Sequence, residues 1–226
     1  VKLRIAIAGI VACVLTLGLG LVAPVVTAPP AEAVTKISAR KLLRQLPVAS
    51  ETNKGYDRSA FPHWIDTADK DVCDTREEVL IQEAIRAPRV TASTCAISGG
   101  KWRSKYDRVT TTNKSTFDID HVVPLKEAWA SGAKRWTKST RKQFANDLGY
   151  RATLIAVSAS SNRSKGAREP HQWMPPNRAY HCTYVKQWIA IKWRWSLKVN
   201  QKEKTYLRRQ LDACDSVLVN KPRRAT

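Results

Sequence analysis

Thr116–His121 reads Thr-Phe-Asp-Ile-Asp-His, and this hexapeptide constrains the fold more than any other part of the chain. Phe117 and Ile119 alternate with Asp118 and Asp120, the period-two pattern of a strand with one apolar face and one carboxylate face. His121 falls where the strand should end, because Pro124 limits further sheet pairing. Ala152–Val157 is a second apolar run and predicts a second strand. Behind it, Ser158–Ser161 is rich in helix-capping residues, which places Asn162 in the first turn of a short helix. Strand, strand and helix in this order can gather a carboxylate, an imidazole and an amide oxygen. Hard cations take oxygen ligands, and an imidazole accepts a proton near neutral pH. Those are the parts needed for metal-assisted phosphodiester hydrolysis.

The charge balance points to the same class of partner. The chain has 39 Lys and Arg against 19 Asp and Glu, a formal net charge of +20. Such a surface attracts polyanions over long range, and nucleic acid is the first candidate. Acidic cell-envelope polymers are the competing one. On charge alone the choice stays open between an enzyme and a non-catalytic basic binding protein.

Lys2 and Arg4 precede an apolar run, Ile5–Val26, and Ala31-Glu32-Ala33 offers small residues at an A-x-A cleavage site. Residues 1–33 therefore read as a secretory signal peptide, with an uncleaved N-terminal anchor as the alternative. Their removal takes away Lys2, Arg4 and Glu32 and leaves +19. The expected organisation is a signal peptide over 1–33, a helix or linker over 34–50 and one domain over 51–226. A secreted, extracellular monomer without stable membrane association is expected.

Four cysteines remain beyond the leader: Cys73, Cys95, Cys182 and Cys214. An even number in an exported chain favours disulfides, and without a C-x-x-C pair a zinc ribbon is disfavoured. Three pairings are possible. The expected one joins Cys73 to Cys95 and Cys182 to Cys214, one bridge on each flank of the motif.

Further along, Thr35–Leu46 reads as a short amphipathic helix, Thr75–Ile85 as a helix and Ser98–Tyr106 as a turn entering a strand. Leu125–Trp129 and Thr140–Leu148 read as helices. Tyr184, Trp188, Ile191 and Trp195 fall on one helical stripe, which predicts core packing rather than a base-stacking platform. Asn200 with Glu203 reads as a capping box for the last helix, which carries Leu207 and Leu211.

At these residues the chain resembles the HNH, or ββα-metal, endonucleases, most of all secreted actinobacterial members related to the C-terminal domain of GmrSD restriction enzymes. The matching segments are DIDHVVPLKEAW from Asp118, FAND from Phe144, LIAVSASSNRSKG from Leu154, Trp173-Met174-Pro175 and HCTYVKQWIAIK from His181. YDRSAFPHWID from Tyr56 and CDTREEVL from Cys73 fit the same group. The resemblance spans most of the chain from about Leu43 to Cys214. It implies an α+β fold with a ββα-metal core, flanking helices and two disulfides.

The resemblance also assigns roles. His121 would be the general base that activates water. Asp120 and Asn162 would hold a divalent metal, Mg²⁺ with Mn²⁺ as the alternative; a plain helix cap is the competing reading of Asn162. Arg163 or Lys165 would grip a phosphate, and Arg76 would reach the site from the upstream flank. Asp118 would support the metal shell or lie as an exposed charge. The implied substrate is DNA, with RNA open, cut with little sequence preference to leave 5′-phosphate and 3′-hydroxyl ends. A dedicated inhibitor or immunity protein is compatible with this chemistry. Two departures stand out: Thr153 occupies a position where many HNH proteins have asparagine, and Ala167 one where several relatives are acidic. Asn146 would then pin the connecting loop in place of that missing asparagine.

Overall fold

The computed structural model describes residues 35–65 and 71–225. The leader reading over 1–33 lies outside them. The elements run β1 Lys36–Ser38, α1 Ala39–Gln45, α2 Thr75–Glu83, β2 Arg86–Thr91, β3 Ala96–Arg103, β4 Thr110–Thr111, β5 Phe117–His121, α3 Leu125–Ser131, α4 Lys138–Ala145, β6 Leu154–Ser158, α5 Ala159–Lys165, α6 His181–Arg194, α7 Gln201–Asp212 and β7 Leu218–Asn220. The fold is mixed α and β, and both expected disulfides are present.

β5 and β6 pair antiparallel, with Phe117 opposite Ser158 and His121 opposite Leu154. Phe117 and Ile119 bury their side chains against α2 and β3, where Val79, Leu80 and Trp102 meet them. That burial fixes which face Asp118 and Asp120 take, because a one-residue slip would exchange the two faces. Ser158 caps α5 by accepting from the Ser161 backbone N–H. The hairpin therefore runs directly into the helix that carries Asn162.

β2, β3 and β4 form a second antiparallel sheet. Here the structure departs from the expected turn at Gly99-Gly100, since β3 continues through both. Both glycines have positive φ, +68° and +81°, and a Cβ on Gly100 would lie 2.7 Å from the Trp102 ring. The glycines thus let the strand continue over a tryptophan instead of turning it.

The larger core lies between α1, α3, α6 and α7. Tyr184, Trp188 and Ile191 are fully buried and Trp195 nearly so, as the stripe predicts. Thr35–Leu46 begins as strand, not helix: β1 pairs with β7 and α1 starts only at Ala39. At α7, Asn200 accepts from the Glu203 backbone N–H, but the Glu203 carboxylate is turned into the core, to Trp188 and Lys192. Only half of the expected capping box forms. Cys73–Cys95 ties the approach to α2 to the β2–β3 hairpin, and Cys182–Cys214 ties the start of α6 to the end of α7. Bridges closing loops of this size contribute roughly 2–4 kcal/mol each. Among the described residues no helix is long and apolar enough to cross a membrane.

Candidate active site at the end of the hairpin

A cavity of about 410 Å³ opens beside the end of β5 and the second half of α5. Asp120, His121, Asn162 and Arg163 line it, joined by Arg58 and Lys126. Residues far apart in sequence meet here because the β5–β6 register sets His121 beside the strand that leads into α5.

His121 is buried between two rings, Trp64 at 5.5 Å and Phe144 at 6.3 Å between centroids. Its Nε2 lies 2.9 Å from the Ala145 carbonyl oxygen. A carbonyl only accepts, so Nε2 carries the hydrogen and Nδ1 keeps its lone pair. Among the described residues nothing donates to Nδ1. Burial pushes the imidazole down to about 3, so the ring stays neutral at physiological pH.

Asp120 is held from behind. Lys165 Nζ donates to both carboxylate oxygens at 2.8 Å, and Tyr106 Oη donates to Oδ2 at 2.5 Å. Lys165 also donates to the His121 carbonyl at 2.8 Å. Burial pushes Asp120 up and Lys165 down, and their mutual attraction opposes both shifts. Asn162 Nδ2 donates to Asp118 Oδ2 at 3.1 Å, which leaves the amide oxygen as its free atom. Asp118 also faces Arg163 at 3.8 Å.

The expected site residues therefore divide. Asp120, His121, Asn162 and Arg163 come together at the cavity, with Asp118 directly behind Asn162. Lys165 does not reach a phosphate position: its ammonium is fully buried on Asp120 and the His121 backbone. Arg76 does not line the cavity, and its guanidinium donates to the Phe117 carbonyl at 3.0 Å. Asn146 lies outside it too. Its amide accepts from Ile65 N–H and donates to the Pro62 and Lys142 carbonyls, fastening residues 62–65 to the end of α4. Thr153 donates to Asp147 Oδ2, and Asp147 also takes two hydrogen bonds from Arg194 and one from Trp195. The buried Asp147 carboxylate thus ties Thr153 to Arg194 and Trp195.

Sequence reasoning passes over Arg58, Tyr106 and the Ala145 carbonyl. The first lies in a segment, YDRSAFPHWID, that enters only through the family resemblance, with no role given to any residue in it. The second has no pattern to mark it, and the third is a backbone atom. The donor set suits a hard divalent cation: a carboxylate and an amide oxygen, the latter freed by the hold of Asp118 on its nitrogen.

A neutral imidazole beside a carboxylate and an amide oxygen, at the end of a hairpin that feeds a helix, is the class of site suited to phosphodiester chemistry. Residues 74–210 match the family described as GmrSD restriction endonucleases, C-terminal domain, and the chain belongs to that family. It is also 43% identical over 193 residues to an uncharacterized secreted protein of Arthroderma benhamiae, covering 85% of this chain and 91% of that one. That relative is fungal, so the actinobacterial grouping finds no support. A secreted relative and two disulfides agree with an extracellular setting. No solved structure matches the chain.

Proposed function

We propose that the chain is a secreted, metal-dependent endonuclease of the HNH type, cutting DNA with little sequence preference. The observation that carries the reading is the His121 tautomer: the Ala145 carbonyl holds the hydrogen on Nε2, which leaves a lone pair on Nδ1 of a ring that lines one cavity with Asp120 and Asn162. Nδ1 takes a proton from the attacking water. The Trp64 and Phe144 rings keep the imidazole in one plane, so little reorientation precedes proton transfer. Asp120 and Asn162 would hold the divalent cation, Mg²⁺ by the hardness of its ligands, and when bound it would polarise the scissile phosphate and stabilise the leaving oxygen. Arg163 lies on the rim with most of its side chain exposed, and its partner Asp118 is 3.8 Å away, so the guanidinium is free to swing onto a phosphate.

Weak sequence preference follows from affinity dominated by phosphate contacts. The test is incubation of the protein with plasmid, linear DNA and RNA, with magnesium or with EDTA. Magnesium-dependent nicking that EDTA abolishes is the expected result. Salt-sensitive binding without turnover in magnesium, manganese or calcium would instead make the chain a basic binding protein.

A further inference from the structure

The family match begins at residue 74, yet an earlier segment forms one wall of the site. Residues 56–65 are fastened at several points. Phe61 is fully buried and meets Trp129 and Phe144 edge-on. Arg141 donates to the Ala60 carbonyl at 3.0 Å, and Asn146 holds the backbone at Pro62 and Ile65. The same segment supplies Trp64 to the face of His121. This wall is built, not draped.

Arg58 opens the single 3₁₀ turn of that segment, which Asp57 caps by accepting from the Ser59 N–H at 2.7 Å. Its side chain is exposed and lines the cavity with His121 and Asn162. Among the described residues it makes no ion pair, whereas Arg163 faces Asp118 and Lys165 is bound to Asp120. Two side chains face it, the Tyr56 hydroxyl and the His63 ring, and neither is a carboxylate. His63 Nδ1 lies 2.7 Å from the Phe61 carbonyl, so that nitrogen carries the hydrogen. The other ring nitrogen, Nε2, keeps a lone pair and faces the Arg58 guanidinium at 3.4 Å. A ring nitrogen can aim a guanidinium without bringing a carboxylate to cancel its charge. The result is an oriented, unneutralised cation at the mouth of a site whose base lies just inside.

We infer that Arg58 is a phosphate-gripping residue of this site, taking two oxygens of a nucleic-acid phosphate beside His121 while His63 aims it. A planar guanidinium suits that contact because its fork matches two phosphate oxygens at once. The inference rests on the nuclease reading for its substrate. It adds that the segment before the family match is part of the working site.

The test compares the full chain with Arg58→Ala and Arg58→Lys, each checked for wild-type circular dichroism. Binding of a duplex oligonucleotide is measured in EDTA over a salt series, and cleavage in magnesium. One lost phosphate contact lowers the slope of log affinity against log salt by about 0.9. Arg58→Ala should show that drop and lose about tenfold or more in kcat/KM. Arg58→Lys should keep the slope and recover only part of the turnover, since a point charge lacks the fork. An unchanged slope in Arg58→Ala overturns the inference, even if turnover falls, because the residue would then only shape the cavity. If the wild type never cuts but the slope still drops, the nuclease reading fails and the phosphate contact stands.

Discussion

Lys165 and Lys192 are both fully buried, and burial acts on them alike, yet their ammonium groups respond in opposite directions. Lys165 has one carboxylate partner, Asp120, and burial pushes its ammonium down. Lys192 has Glu127 at 2.7 Å, Glu203 at 2.8 Å and Glu51 at 3.7 Å, and these carboxylates outweigh burial and push it up. The number of neighbouring carboxylates decides the sign, not the depth. The consequence is a division of labour. Around Lys165 one charge balances one charge, so Asp120 is held in place and still lines the cavity. Around Lys192 acid is in excess, and the cluster joins α3, α6 and α7.

The sharpest way to break this comparison is to remove each lysine. Lys192→Met should destabilise the fold most, by about 4 kcal/mol or more, because it strands several buried carboxylates. Lys165→Met should cost less, about 2–3 kcal/mol, since it strands a single carboxylate, Asp120, and the His121 carbonyl at the edge of a cavity. Urea unfolding midpoints of the two variants test the order; equal losses would end the comparison.

The acid excess also has a pH signature. Burial first of all pushes Glu127 up to about 8, well above the ordinary carboxylate value. A folded-state value above the unfolded one means stability that is complete below about 4.5 and lost as pH rises through about 8. Lys192 titrates above that window and does not offset the loss. Glu127→Gln removes this titration, so its stability relative to wild type should improve by up to a few kcal/mol between pH 5 and pH 8. Thermal melts across that range check it, and a constant difference would show that Glu127 is charged throughout.

A smaller effect is expected beside the site. Asn146→Ala removes the two hydrogen bonds that fasten residues 62–65 to the end of α4, and a third to the Lys142 carbonyl within the helix. The loss should be about 2 kcal/mol, chiefly from buried backbone groups left unpaired. Hydrogen exchange should rise at Ile65, whose N–H loses its acceptor; unchanged protection there would mean that Phe61 alone holds the segment.

The legible parts of the molecule are those with a short period or a local cap. Phe117 and Ile119 against Asp118 and Asp120 announce β5, and the serines before Asn162 announce α5. The Tyr184 stripe announces the core face of α6. Gly99-Gly100 misleads because a glycine pair signals a turn unless a bulky neighbour, here Trp102, needs the space over the strand. Lys165 looks like a phosphate ligand because nothing local shows that its side chain turns inward to a carboxylate 45 residues earlier. Tyr106, Ala145 and Arg58 reach the site through tertiary packing alone, and tertiary packing leaves no periodic trace.

The central claim is that His121 is the base of a nuclease, and plasmid nicking by wild type and His121→Ala in magnesium tests it most directly. Wild type should nick the plasmid, EDTA should stop it, and His121→Ala should lose roughly two or more powers of ten in rate. Its binding to DNA at low salt should barely change, because the cationic surface remains. A folded His121→Ala variant that cuts at the wild-type rate would contradict the account.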